Sequence, residues 1–123
     1  MRFQDLLAYK KSFSLAMTIF EVSKSFPKEE IYSLTDQIRR SSRSVSITAA
    51  EAYRKREYPR HFRSKLTDSY AENSETQGWL DYCLACNYIS NEKFIELTEY
   101  SFEVGKLINY MLLNPEKFGV KKE

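Results

Sequence analysis

Hydrophobic residues recur at helical spacing along almost the whole chain, in four stretches divided by prolines, serines and asparagines. In the first, residues 5–25, Leu6, Phe13, Met17 and Phe20 make an apolar stripe that Leu15, Ile19 and Val22 widen. Steps of three and four keep side chains on one face of an α-helix. Pro27 stops this helix, because the residue before a proline avoids the α region. The second helix is predicted to start at Ser33, an N-cap with Asp36 three residues later in a weak capping box, and to run to about residue 57. Pro59 suits the first turn of a third helix, where its missing N–H is harmless, and that helix reaches about residue 88. Ser90 or Asn91 caps a fourth, which Asn114-Pro115 closes. Connections this short place neighbouring helices antiparallel. The predicted architecture is all-α: an up-and-down antiparallel four-helix bundle over residues 1–114, with 115–123 as a C-terminal tail.

The seams of the two central helices mix apolar with small polar residues. Leu34, Ile38, Ser41, Val45, Thr48 and Ala52 step by three and four along the second helix. Phe62, Leu66, Ser69, Asn73, Thr76, Leu80, Cys83 and Asn87 keep heptad spacing along the third. Small side chains there let the two helices approach closely. Buried hydroxyls and amides need partners, at about 1–3 kcal/mol each if unpaired, so these seams specify register.

Composition agrees with helices and removes other classes. Three glycines and three prolines in 123 residues supply little turn material for an all-β fold. There is no apolar run of about 18 residues and no signal-peptide pattern, so a cytoplasmic, non-membrane protein is expected.

The formal net charge of +2 conceals a strong asymmetry. Residues 39–65 sum to +7 and residues 66–103 to −7. At about 100° per residue, Arg39, Arg43, Arg54 and Arg40 share an arc of about 100° on the second helix, away from its seam. That arc suits phosphate contacts. Ile47 and Ala50 lie in it too, so part of the stripe is expected to pack against the third helix or another subunit. Lys55, Arg56, Arg60, Arg63 and Lys65 surround the turn between the two helices and are the freer candidates for an exposed basic patch.

Asp68, Glu72 and Glu75 align on one face of the third helix and need cations, either arginine or a divalent metal. In an antiparallel hairpin centred near Tyr58, facing positions sum to about 116, which pairs Glu72 with Arg43 and Glu75 with Arg40. Arg39, Arg40, Glu51, Asp68, Glu72 and Glu75 are therefore read as structural ion-pair residues.

Recognisable catalytic chemistry is sparse. His61 is the only histidine, too few for a multi-histidine metal site. Cys83 and Cys86 form a mid-helix Cys-x-x-Cys with no second pair, which reads as packed free thiols. Phosphate-binding glycine loops and a nucleophile elbow are missing. No cofactor and no catalytic residue are expected.

Phe26-Pro27-x-x-Glu30, then Ser33-Leu34-x-x-Gln37-x-Arg39-Arg40 and Ser44-Val45, resemble the four-helix-bundle family encoded in intervening sequences of bacterial 23S rRNA genes. That family typically continues Asn-Ile-Ala-Glu-Gly; here the stretch reads Thr48-Ala49-Ala50-Glu51-Ala52, replacing the Asn and the Gly. Downstream, Phe62-x-x-Lys65-Leu66-Thr67-Asp68, Glu72, Glu75-Thr76-Gln77, Trp79-Leu80 and Tyr88-Ile89 are similar to one bacterial subgroup, so the resemblance spans residues 3–113. It implies a four-helix monomer assembled into a ring-shaped pentamer, with no known enzyme activity. It also implies kinship with the accessory protein of diversity-generating retroelements, a basic pentameric bundle that works with a reverse transcriptase and nucleic acid.

Three function classes follow. A nucleic-acid-binding oligomer would hold phosphates with Arg43, Arg54, Lys55, Arg56, Arg60 and Arg63; its partner would be RNA, DNA or a nucleic-acid-associated protein. A structural or protein-partner scaffold would use aromatic and acidic faces as subunit interfaces. An enzyme would use Asp68, Glu72 and Glu75 around a divalent metal.

Overall fold

The computed structural model describes residues 1–121. Among these, α1 spans Leu7–Ser23, α2 Leu34–Arg54, α3 Pro59–Ala85 and α4 Asn91–Leu113, with single 3-10 turns at Phe3–Asp5, Lys28–Glu30 and Pro115–Phe118. Each helix packs on its sequence neighbours and α1 closes the ring against α4, which makes the up-and-down four-helix bundle. No described helix is long and apolar enough to cross a membrane.

The helix ends follow local chemistry. Pro59 occupies the first turn of α3, and the Ser90 hydroxyl caps α4 by accepting the Lys93 N–H at 3.1 Å. Ser33, expected to cap α2, does not: its hydroxyl donates to the Glu30 carboxylate, and the Glu30 Oε1 accepts the Leu34 N–H at 3.4 Å. The third helix stops at Ala85 rather than near residue 88, because Asn87 turns left-handed at φ 61°. The N–H groups of Tyr88 and Asn87 then donate back to the carbonyls of Cys83 and Leu84, at 2.9 and 3.0 Å. This closed C-terminal turn is a Schellman motif, and asparagine is one of the few side chains that tolerates its left-handed position.

The seams of α2 and α3 are buried as expected, except that Thr48 is half-buried and Asn87 lies exposed past the helix end. Their polar members are satisfied. Ser41 and Thr76 share a hydrogen bond at 2.8 Å, and the Ser69 hydroxyl donates to the Val45 carbonyl at 2.7 Å. Between α3 and α4, Asn73, Gln77 and Ser101 form a connected network with distances of 2.9–3.0 Å. The first helix differs from its expected orientation. Its buried row is Ala8, Ser12, Leu15, Ala16, Ile19 and Ser23, while Phe13 and Met17 remain 50% and 45% exposed. Small residues let α1 sit close to its neighbours, and the bulky aromatic is left outside.

Residues 115–121 fold back onto the bundle. The turn at Pro115–Phe118 ends in Gly119 at φ +82°, where the Val120 N–H reaches the Pro115 carbonyl at 3.2 Å and the Val120 side chain joins the core. Positions 122–123 of the expected tail lie outside the described residues.

Candidate nucleic-acid interface

The bundle is electrically polar along its length. Cut at the helix midpoints, the half holding the α2–α3 turn and both chain termini carries twelve basic and seven acidic described residues; the other half carries six and nine. The +7 run of the sequence is itself divided, with +4 in this half and +3, from Arg39, Arg40 and Arg43, in the other; the basic excess of this half is completed by cations near the two chain termini.

Several arginines there are already engaged. Arg56 donates from Nε to the Tyr53 carbonyl at 2.8 Å and from a terminal nitrogen to the Phe118 carbonyl at 3.4 Å, with its guanidinium 3.7 Å from the centre of the Tyr53 ring. A side chain expected to meet phosphate thus clamps the C-terminal turn. Arg54 lies 5.8 Å from the Phe3 ring centre, with its charge exposed. Lys55 is half-buried, and Arg60 and Arg63 are exposed on the first turns of α3. Arg63 also borders a cleft of about 320 Å³ together with Pro59, Phe62, Leu112, Val120 and Lys121.

The α2–α3 register follows the expected sum in four places. Arg40 meets Glu75, Ser41 meets Thr76, Ser69 meets Val45, and Lys65 pairs with Glu51 at 3.7 Å. Arg40 also reaches Glu72 at 3.4 Å, and the Trp79 indole N–H donates to Glu75 at 3.1 Å. Hydrogen bonding to Glu75, reinforced by Glu72, raises Arg40 above the ordinary arginine value.

One expected ion pair is replaced, and one expected ion-pair residue finds no carboxylate. Arg43 does not meet Glu72, and Arg39 meets no carboxylate among the described residues. Both turn towards α1, where their guanidinium carbons lie 5.3 and 4.8 Å from the Phe20 ring centre, and Arg39 Nε donates to the Ser23 hydroxyl at 2.8 Å. Part of the arc reaches α3, through Arg40, while Arg39 and Arg43 lie against α1 instead of α3 or another subunit, because the α3 side of α2 is filled by the seam. Of the two apolar residues in that arc, Ala50 is buried and Ile47 exposed. Asp68 is exposed and makes no ion pair among the described residues.

The remaining candidates are quiet. His61 is exposed beside Tyr58, with ring centres 5.8 Å apart. Burial pushes the Cys83 thiol up to about 12, so it is no thiolate near neutral pH, and Cys86 is an exposed free cysteine. Among the described residues no group of three or more His, Cys, Asp or Glu could hold a metal ion.

One locked cluster was not legible beforehand. Glu30 accepts from the Tyr88 hydroxyl at 2.7 Å and from Ser33, tying the α1–α2 connection to the α3–α4 connection. The bond from Ser33, then that from Tyr88, hold its carboxyl below the usual range.

Fold and surface together define a class: a small four-helix bundle with a basic end and, among its described residues, no cluster that could hold a metal ion. The profile of the 23S rRNA-intervening sequence protein family matches residues 4–110, and the chain belongs to that family. The chain is also similar to a crystal structure of a protein with unknown function from the S23 ribosomal protein family of Bacteroides thetaiotaomicron. The two share 25% identity and superpose with a TM-score of 0.78, over 86% of this chain and 98% of that one. The comparison with curated proteins found no match.

Proposed function

We propose that this protein is a non-enzymatic, cytoplasmic nucleic-acid-binding bundle that holds RNA by its phosphates at the basic end. The observation that carries the reading is the lengthwise charge separation, with Arg54, Lys55, Arg60 and Arg63 gathered at the α2–α3 turn. Cations grouped on one end are the electrostatic footprint of a phosphate-binding surface. Arg56 and Arg40 are left out of that surface because they serve the fold.

Fluorescence anisotropy with a structured RNA, over a range of salt concentrations, tests this. The triple variant Lys55→Ala, Arg60→Ala, Arg63→Ala should weaken binding to all sequences alike. Each lost phosphate contact should reduce the slope of log affinity against log salt by about one. An unchanged slope refutes the basic end as the binding surface.

A second reading rests on α4. Ile95, Phe102 and Leu113 are all more than half exposed and fall within about 20° of one line along that helix. Such a stripe is interface material, and it supports the homo-oligomer, a pentamer by family resemblance, in which the protein acts as a scaffold. Light scattering on Phe102→Glu should then report smaller particles than the unsubstituted chain.

A further inference from the structure

Three cations converge on one neutral ring at the opposite end from the basic turn. Lys24 Nζ, Arg39 Cζ and Arg43 Cζ lie 5.0, 4.8 and 5.3 Å from the Phe20 centroid. The two guanidiniums are therefore within about 10 Å of each other. Lys24 is neutralised by Glu21 at 3.1 Å. Glu72 and Glu75 hold Arg40, and Glu30 is engaged by Ser33 and Tyr88, while Asp36 lines the same groove without forming an ion pair among the described residues. Arg39 and Arg43 thus form a pair of like charges with no carboxylate partner among the described residues. Phe20 and Ser23 orient them, which reduces the side-chain entropy a ligand would have to remove.

The same arginines line an open groove of about 550 Å³ with Ile31, Tyr32, Asp36 and Arg40. Tyr32 is 92% exposed, the most exposed of the large apolar and aromatic side chains described. Solvent-facing aromatics next to oriented guanidiniums are what a nucleotide unit needs: a face on which the base stacks and a fork for its phosphate. Asp36 supplies an acceptor at the rim, suited to N–H groups on a base edge.

We propose that the groove between Tyr32 and the Arg39–Arg43 pair is a binding site for a single nucleotide unit, with the phosphate on the two guanidiniums and the base on the Tyr32 ring. The site deepens the nucleic-acid reading given above, yet it uses none of the residues of the basic end.

GMP is the probe, because its N1–H and exocyclic amine match the Asp36 acceptor. Titration would be followed by the arginine Nε–H resonances of the full chain at about 150 mM salt. Saturation is expected at a Kd of about a millimolar or below. Arg43→Ala should weaken binding on the order of tenfold and Tyr32→Leu on the order of fivefold; both residues are exposed, and each variant's thermal melt would verify its fold. The Lys55→Ala, Arg60→Ala, Arg63→Ala variant should bind GMP unchanged, even where it has lost RNA. Tighter binding of the dinucleotide GpG than of GMP would assign the groove to a strand, and the reverse would assign it to a free nucleotide. Absence of saturation by about 10 mM GMP and GpG, or equal binding by the Arg43→Ala and Tyr32→Leu variants, would overturn the proposal without bearing on the basic end.

Discussion

Arg56→Ala separates a folding role from a binding role within the basic run. The side chain donates at 2.8 Å to the Tyr53 carbonyl and at 3.4 Å to the Phe118 carbonyl, and stacks 3.7 Å from the Tyr53 ring centre. The short bond contributes about 1 kcal/mol and the long one a few tenths. Stacking at a half-exposed site adds about 0.5–1 kcal/mol. The sum is about 2 kcal/mol. With an unfolding entropy of about 2.1 cal/mol/K per residue over 123 residues, the Tm should fall by about 8 °C. Arg56→Lys keeps the charge but lacks the planar fork, so it should lose most of the same stability. Lys55→Ala and Arg63→Ala should melt within about 2 °C of the unsubstituted chain, in line with ordinary surface changes. Circular dichroism melts of the four variants and the unsubstituted chain provide the comparison. An Arg56→Ala protein that melts with the unsubstituted chain, yet binds RNA more weakly, would refute the clamp and return Arg56 to the binding surface.

Two further outcomes follow from the buried and bridging polar groups. The Ser41–Thr76 bond at 2.8 Å should appear in a double-mutant cycle by urea denaturation: Ser41→Ala and Thr76→Val should each cost about 1 kcal/mol, and the pair less than their sum. Strict additivity would mean that the hydroxyls act separately. Because Glu30 is held below its ordinary value of 4.5, its contribution is complete above that value and is lost as pH falls through its folded-state pKa. The Glu30→Gln variant should show a shallower loss of stability with acid below pH 4.5 than the unsubstituted chain, read from urea midpoints across that window. Parallel curves would place the acid sensitivity elsewhere.

The hairpin of α2 and α3 could be read from the chain because Pro59 marks its turn, and a short turn sets the pairing for the residues on either side. Arg40 with Glu75 and Glu51 with Lys65 follow from that rule alone. Arg39 and Arg43 did not, since their partners depend on which helix covers the far side of α2, and no local spacing encodes the position of α1. Helix α1 is apolar on most of its circumference, so periodicity left its rotation open; Ala8, Ser12 and Ala16 chose the buried face by permitting close approach. Ser33 looked like a cap by residue type, but the Glu30 carboxylate, drawn in by Tyr88 from the other connection, took that place. Likewise Arg56 was counted with its basic neighbours, because its hold on Phe118 spans a gap of 62 residues.

The lengthwise separation of charge changes how the molecule looks to its surroundings. The longest helix, α3, has 27 residues and so measures about 40 Å. Mobile ions at cellular strength damp electric fields over about 8 Å, so an approaching polyanion meets only the nearer end. To it, the protein is a cation if met at the α2–α3 turn and a net anion if met at the other, apart from the local Arg39–Arg43 pair, although the whole chain is close to neutral. Encounters are thereby sorted by direction before any contact forms. The same molecule should be retained by both cation- and anion-exchange surfaces, in opposite orientations, at low salt.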